Sequence, residues 1–418
     1  MSVVVAHVLV YSFVHLTLWV NSAGNIENDV KIRVHRRLDK LYKKYFNMKK
    51  SIFLFSFYSI FQIQKCSPAY IDNTAPRIDV DGNLMDVHDG NIFKHDGLWY
   101  WFGMGYQDCL LEKGLIPPQY CPGIYLEFGH CGFRTDHAIN LYTSPDLESW
   151  TFVSNILPLD LRPEGIYFRP KVLFNKATEE WVLWVNHLPP AISPLVAYPE
   201  AGFLVATSST PEGPFSVVTY RANIQISGGG DFAIMIDPND EDEAAYIAYD
   251  AWGNNHAVLV ERLTPDYHDS LGEDFTSGQI SPVGNEAPIL FERQGWYYLL
   301  YGHTCCFCQP GSGAHVWMSQ HPLGPWVDTG VDINPGDPND ILGLGRREVP
   351  AQCNGVIVIE QDDGHTEYLY SGDLWSSAPD QLKSHDIQYW SPPLEFEDGL
   401  DLPVIAPMKF VNNFTINA

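Results

Sequence analysis

The sequence predicts an all-β protein folded as a five-bladed β-propeller, and three observations carry that expectation. From residue 70 onward no long run has helical periodicity, while short aromatic and β-branched runs alternate with clusters of Gly, Pro, Asn and Asp. A turn followed by a Tyr- or Trp-rich run recurs five times, at 97–103 (GLWYWFG), 180–185 (EWVLWV), 245–249 (AYIAY), 295–301 (GWYYLLY) and 367–371 (EYLYS). A second unit, a strand end, a Pro or Gly turn and an aromatic opening the next strand, recurs at 142–150 (YTSPDLESW), 206–215 (ATSSTPEGPF) and 318–326 (MSQHPLGPW). The competing architecture is a two-sheet sandwich with similar turns. Repeats at intervals of roughly 50 to 80 residues suit whole blades better than single strands, and blades set around a channel leave few exposed edges.

In chain order the first element is a leader. Two apolar runs, 2–20 and 52–63, flank a basic stretch around 31–50. The second run reads as a secretory signal within 48–69: Met48 and two lysines give the positive start, IFLFSFYSIF the apolar centre, and Cys66-Ser-Pro-Ala the small residues for cleavage. In the competing reading the first run, about long enough to span a bilayer, is an uncleaved membrane anchor. Residues 1–69 are therefore assigned to targeting and 70–418 to one propeller domain, expected to be secreted.

With 45% apolar and 13% aromatic residues, the 418-residue chain can bury a large core. Its 51 acidic residues face 25 basic ones, for a formal charge of −26. The first fifty residues hold nine Lys or Arg against three acidic side chains, so the remainder stands near −32. Such a polyanion repels phosphate backbones and gains nothing from counterion release, which argues against nucleic acid as a partner.

Seven of the eight cysteines follow the leader: Cys109, Cys121, Cys131, Cys305, Cys306, Cys308 and Cys353. An odd count leaves at least one outside intrachain pairing. Cys109, Cys121 and Cys131 fall in a Gly- and Pro-containing insertion, where a disulfide would staple a long loop. The CCFC cluster at 305–308 has no second Cys pair at zinc-finger spacing, so structural zinc is not expected. A sequon, Asn413-Phe-Thr415, is usable only in a secreted protein.

In a propeller the inner strands converge on the channel, so polar residues at their starts meet although far apart in sequence. Three carboxylates stand at such places: Asp89 in 88–91 (HDGN), Asp231 in 228–231 (GGGD) and Glu286 in 285–288 (NEAP). Glycoside hydrolysis needs that number: a base for water, an acid for the leaving oxygen, and a group that tunes the acid. Each motif alone is weak, because Asp beside Gly is commonly a turn residue.

The stretches 87–93 (VHDGNIF), 97–103 (GLWYWFG), 169–175 (RPKVLFN), 286–288 (EAP), 321–326 (HPLGPW), 368–375 (YLYSGDLW) and 389–394 (YWSPPL) resemble glycoside hydrolase family 43 over about residues 78–398, in particular its exo-β-1,3-galactanase branch. The resemblance implies a five-bladed propeller, inversion at the anomeric carbon, and galactose- or arabinose-containing polysaccharide as substrate. It implies Glu286 as general acid and Asp231 as its modulator. For the water it leaves two positions open. Asp89 falls where most of the family has its base, whereas the galactanase branch has Gly there and is similar to this chain at Gln352. One position departs from the branch: a Glu that contacts substrate is replaced by Phe168. Specificity is therefore expected to have moved from β-1,3-galactan.

Substrate contacts are expected from His88, Arg169, Trp252 and Trp375; the other tryptophans, Trp99 and Trp101 among them, are expected mostly in the core. The competing readings of His88 and His303 are packing against backbone or holding a central ion, and no cofactor is expected. Residues 79–83 (DVDGN) mimic part of a calcium loop but lack its Gly and distal Glu, and read as a hairpin turn. Beside the hydrolase stand two rival readings: a carbohydrate-binding propeller without catalysis, and an arabinanase or xylosidase of the same family.

Overall fold

The computed structural model describes residues 4–10, 14–20, 68–109, 131–304, 307, 309–336, 345–361, 363–399 and 402–418, which fall into two units, Met1–Lys65 and Cys66–Ala418. In the first unit Val4–Val10 pairs antiparallel with Val14–Val20. The signal read at 48–69 lies almost wholly outside the described residues, as do Cys66, Cys121, Cys305, Cys306 and Cys308. Among the described residues no helix is long and apolar enough to cross a membrane.

The second unit is a five-bladed propeller. Blade 1 is built from His88–His95, Leu98–Gly105, Ala138–Ser144 and Thr151–Asn155, each strand pairing with the next. Blade 2 uses Ile166–Asn175, Glu180–Leu188, Gly202–Ser208 and Ser216–Thr219; blade 3 uses Gly229–Ile236, Ala245–Ala251, Ala257–Arg262 and Thr276–Gln279. Blade 4 uses Asn285–Arg293, Trp296–His303, His315–Ser319 and Val327–Asp332, and blade 5 has three strands, Gln352–Glu360, Thr366–Leu374 and Ile387–Pro393. The first strands of the blades touch one another in a closed ring and form the channel wall. All five aromatic runs of the sequence are second strands, and the three Pro/Gly units are the turns between third and fourth strands of blades 1, 2 and 4.

Alternation along the second strands explains why they are so apolar. A strand sends successive side chains to opposite faces, and a blade has a neighbour on each face. Trp99 and Trp101 join Ile357, Leu369 and Trp390 of blade 5, whereas Phe102 and Met104 join Trp181, Leu183 and Val185 of blade 2. Val182 and Trp184 meet Ile247 and Tyr249 of blade 3; Tyr246 and Ala248 meet Tyr297 and Leu299 of blade 4; Tyr298 and Leu300 meet Tyr368 and Tyr370 of blade 5. Each fully buried side chain of this kind is worth roughly 1.5–3 kcal/mol in transfer free energy.

The ring is closed by the ends of the domain. Ala69–Asp72 pairs antiparallel with Asn413–Ile416, and Ala69, Ile71 and Ile416 fill the interface between blades 1 and 5. The Asn73 amide donates to the Trp390 and Val411 carbonyls and accepts from the Trp390 N–H, pinning this ribbon to blade 5. Asp79 accepts hydrogen bonds from the Asp81 and Asn83 amides, so residues 79–83 are the hairpin turn expected of them. Cys109 and Cys131 are bonded as a disulfide, and Cys353 is a buried thiol whose pKa burial pushes up to about 11.

Candidate active site

Every inner strand breaks register near its start: between His88 and Asn91, Phe168 and Lys171, Gly229 and Phe232, Glu286 and Ile289, and Cys353 and Gly355. Such bulges re-aim side chains that regular pleating would send into the interfaces between blades. At three of them a non-glycine residue adopts the left-handed region, Asp89 (φ 57°), Arg169 (φ 50°) and Ala287 (φ 55°), a strain of about 1–3 kcal/mol each that surrounding contacts must hold. At blade 1 the turn also requires Gly90, because a Cβ there would lie 1.5 Å from the Phe102 carbonyl oxygen.

The bulges bring together one candidate from each blade. Arg169 Nε lies 2.7 Å from Asp231 Oδ1, and its Nη2 stands 3.8 Å from Asp89 Oδ1. Gln352 Nε2 donates to Glu286 Oε1 at 2.8 Å and approaches Asp231 Oδ2 at 3.4 Å. Asp89, Arg169, Asp231, Gln352 and Glu286 thus form one continuous polar chain across the channel. Asp89, Gln352 and Glu286 are 3%, 5% and 8% exposed, and the Asp231 side chain is 22% exposed.

Asp89 accepts a hydrogen bond from the Tyr106 hydroxyl at 2.8 Å, and its own amide donates to Asp373 Oδ2 at 2.9 Å. Burial pushes its carboxyl pKa up; Arg169 and Lys383 pull against that shift while Asp373 and Asp231 add to it. Arg169 is also buried, but Asp231 and Asp89 more than offset the cost, and its pKa is raised. Behind the bulges, Lys171 Nζ donates to the carbonyls of Asp89, Gly90 and Asn354, three acceptors for the three protons of an ammonium, although burial draws its pKa down to about 7.

Several expected substrate contacts are otherwise engaged. Both His88 nitrogens face acceptors, Asp373 Oδ1 at 3.0 Å and the Ser384 carbonyl at 3.3 Å. Burial opposes a charge on this ring, but Asp373 and Asp86 outweigh it and the pKa is raised. His88 is therefore a packed histidine that holds Asp373 rather than a group open to sugar. Arg169 is spent on Asp89, Asp231 and the Cys353 carbonyl. Trp375 is 1% exposed and presents no open face for a sugar ring; its indole N–H donates to Gln352 Oε1 at 2.7 Å. Trp252 is half-buried, tied by its amide to the Gly228 carbonyl, stacked on Tyr198 at 4.0 Å and packed against His256 at 3.9 Å. His303 accepts from Arg347 at 3.3 Å through Nδ1. Among the described residues no group of three or more His, Cys, Asp or Glu is placed to hold a metal ion.

Phe168 explains its own departure from the branch pattern. It is buried among Phe133 and Phe307, with ring centroids 6.2 and 6.3 Å away, so it is part of an apolar wall. Sequence reasoning missed Asp373, Tyr106, Lys171, Asn354 and the buried Asp250–His256 pair (2.6 Å), whose carboxyl pKa burial pushes up to about 6. Asp373 and Lys171 carried a signal, lying inside the YLYSGDLW and RPKVLFN stretches; Asp250 packs so closely on the Asp231 turn that a Cβ on Gly230 would come within 2.0 Å of its Oδ1.

The model of the family described as Glycosyl hydrolases family 43 matches residues 125–345, more than half of the chain. No curated protein matches the sequence. Among solved structures, the exo-β-1,3-galactanase of Phanerochaete chrysosporium with galactose is similar at 22% identity and a TM-score of 0.60, over 83% of this chain and 68% of that one. The exo-β-1,3-galactanase of Clostridium thermocellum is similar at 23% identity and a TM-score of 0.62, over 83% and 67%. At these identities the structural likeness speaks for the propeller fold, and the family match, covering the bulges of blades 2, 3 and 4, supplies the relationship: the chain belongs to glycosyl hydrolases family 43.

Proposed function

We propose that this glycoside hydrolase acts on galactose- or arabinose-containing polysaccharide with inversion, using Glu286 as general acid, Asp231 as the carboxylate that tunes it, and Asp89 as the base. The convergence of three carboxylates from blades 1, 3 and 4 on one channel, linked through Arg169 and Gln352, carries the reading. Between the two candidates for the water, the geometry favours Asp89. The Gln352 oxygen already accepts from Trp375 and its nitrogen donates to Glu286, and a carboxylate accepts a proton at far lower cost than an amide.

Replacing Glu286 by Gln removes the proton the leaving group needs. Sugar release from β-1,3-galactan or arabinan should fall by at least about 10²-fold, with the thermal unfolding midpoint retained, and proton NMR of the first product formed by the wild type should show the inverted anomer. Full activity of Glu286→Gln on every substrate the wild type cleaves refutes the assignment.

Phe168 favours a second reading on specificity. A wall of Phe133, Phe168 and Phe307 in place of a carboxylate removes a partner for a sugar hydroxyl, and an Asp on blade 1 is the arabinanase and xylosidase pattern. Comparing rates on arabinan, xylan oligosaccharides and β-1,3-galactan separates these cases, and glycan binding by the wild type without hydrolysis of any supports a carbohydrate-binding propeller instead. Secretion is part of the proposal: the Cys109–Cys131 disulfide and the exposed Asn413 of the sequon suit an oxidising, glycosylating compartment.

A further inference from the structure

Lys383 is fully buried, and among the described residues its ammonium has no hydrogen-bond partner. It lies instead against three aromatic rings, with Nζ 3.1 Å from the Trp375 centroid, 3.4 Å from Phe307 and 4.4 Å from Tyr106. An ammonium without a hydrogen-bonding partner is costly to bury, and the negative faces of aromatic rings return only part of that cost. Two of the three rings reach the candidate site by their polar edges: the Tyr106 hydroxyl donates to Asp89 Oδ2 and the Trp375 N–H donates to Gln352 Oε1. The backbone of Lys383 is anchored as well, since its amide donates to the Cys109 carbonyl beside the disulfide.

We propose that Lys383 is a positioning residue of the active site: seated between Tyr106 and Trp375, it fixes the two rings that orient Asp89 and Gln352 and places a positive charge behind the base. The inference rests on the reading of Asp89 as that base. The groups facing the ammonium are Asp86, His88, Asp89, Tyr106 and His137 from blade 1, Asp373 from blade 5, and Asp386 from its own connection. Burial draws the Lys383 pKa down to about 7, with Asp386, Asp89, Asp373 and Asp86 opposing the shift. Its charge therefore changes close to neutrality.

Lys383→Met keeps the length and apolar stem of the side chain and removes the charge. The expected result is a roughly tenfold lower kcat, a KM within about twofold, and an acidic limb of the kcat/KM profile displaced to higher pH because Asp89 has lost a nearby cation. Lys383→Arg should return the limb toward the wild-type position. An acidic limb unmoved in Lys383→Met overturns the proposal. Stability gives a second readout that needs no substrate. Because the folded value near 7 lies below the unfolded value of about 10.5, the wild type carries the cost of a buried charge below pH 7 and is relieved between pH 7 and 10.5. Lys383→Met should thus gain in unfolding midpoint over the wild type at pH 6 and keep a smaller part of that advantage at pH 9; a difference independent of pH, or a variant unable to fold at pH 6, contradicts the role. Asp89→Asn separates the two layers. If it remains fully active, the base assignment falls and this inference with it; if it is inactive while the Lys383→Met limb is unmoved, only the role of Lys383 falls.

Discussion

The side-chain nitrogen of Gln352 donates to Oε1 of Glu286 at 2.8 Å, in an orientation set by the Trp375 N–H, which occupies the amide oxygen at 2.7 Å. On the proposed assignment of Glu286 as acid and Asp89 as base, Gln352 is a holder of the acid. Gln352→Ala removes a hydrogen bond to an ionisable group, worth about 1.5–3 kcal/mol, which corresponds to a kcat lowered by roughly 10- to 100-fold. Steady-state kinetics check this, and a loss as complete as that of Glu286→Gln would return Gln352 to the water.

Arg169 is the single cation between Asp89 and Asp231 in the polar chain. Removing one partner from a buried ion pair leaves uncompensated charge and costs about 3–5 kcal/mol. Arg169→Met should lower the urea unfolding free energy by that amount at pH 7 and by less at pH 4, where Asp89, its pKa raised by burial, takes up a proton more readily. Equal losses at both pH values contradict the electrostatic account.

His88 and Asp373 form a buried pair at 3.0 Å with opposite pKa shifts, the histidine raised and the aspartate lowered. The His88 contribution is present in full below its unfolded value near 6.5 and disappears as pH rises through its folded value. The Asp373 contribution is present above about 3.8 and disappears as pH falls through its folded value. Asp373→Asn should therefore cost most stability near about pH 5 to 6 and less at pH 9, measured as unfolding midpoints across that range.

The blade strands were legible in the sequence because a second strand packed on both faces is apolar at most positions, as in Trp99 to Phe102 and Tyr297 to Leu300. Three inner strands were legible through their carboxylates and the other two through Arg169 and Gln352, since a strand that turns one edge to a polar channel loses the aromatic signature. What escaped was conformational. Nothing in a run such as HDGN announces that Asp89 takes a left-handed conformation, or that a tyrosine seventeen residues on will cap it. Trp375 is expected from the sequence to contact substrate, yet it is buried under Lys383 and Phe307, which pack on its ring. Lys383 itself gave no sign, because a lysine in a polar connection ordinarily points to solvent. The terminal ribbon between blades 1 and 5 was equally silent, its pairing being non-local and only four residues long on each side.

In the proposed mechanism Asp89 takes a proton from water while Glu286 gives one to the leaving oxygen. The most direct measurement is kcat/KM for Asp89→Asn at pH 7 on the polysaccharide that the wild type cleaves fastest. Removal of a general base is predicted to lower it by about 10²- to 10⁴-fold with the fold intact by circular dichroism; a value within about threefold of the wild type would contradict the mechanism.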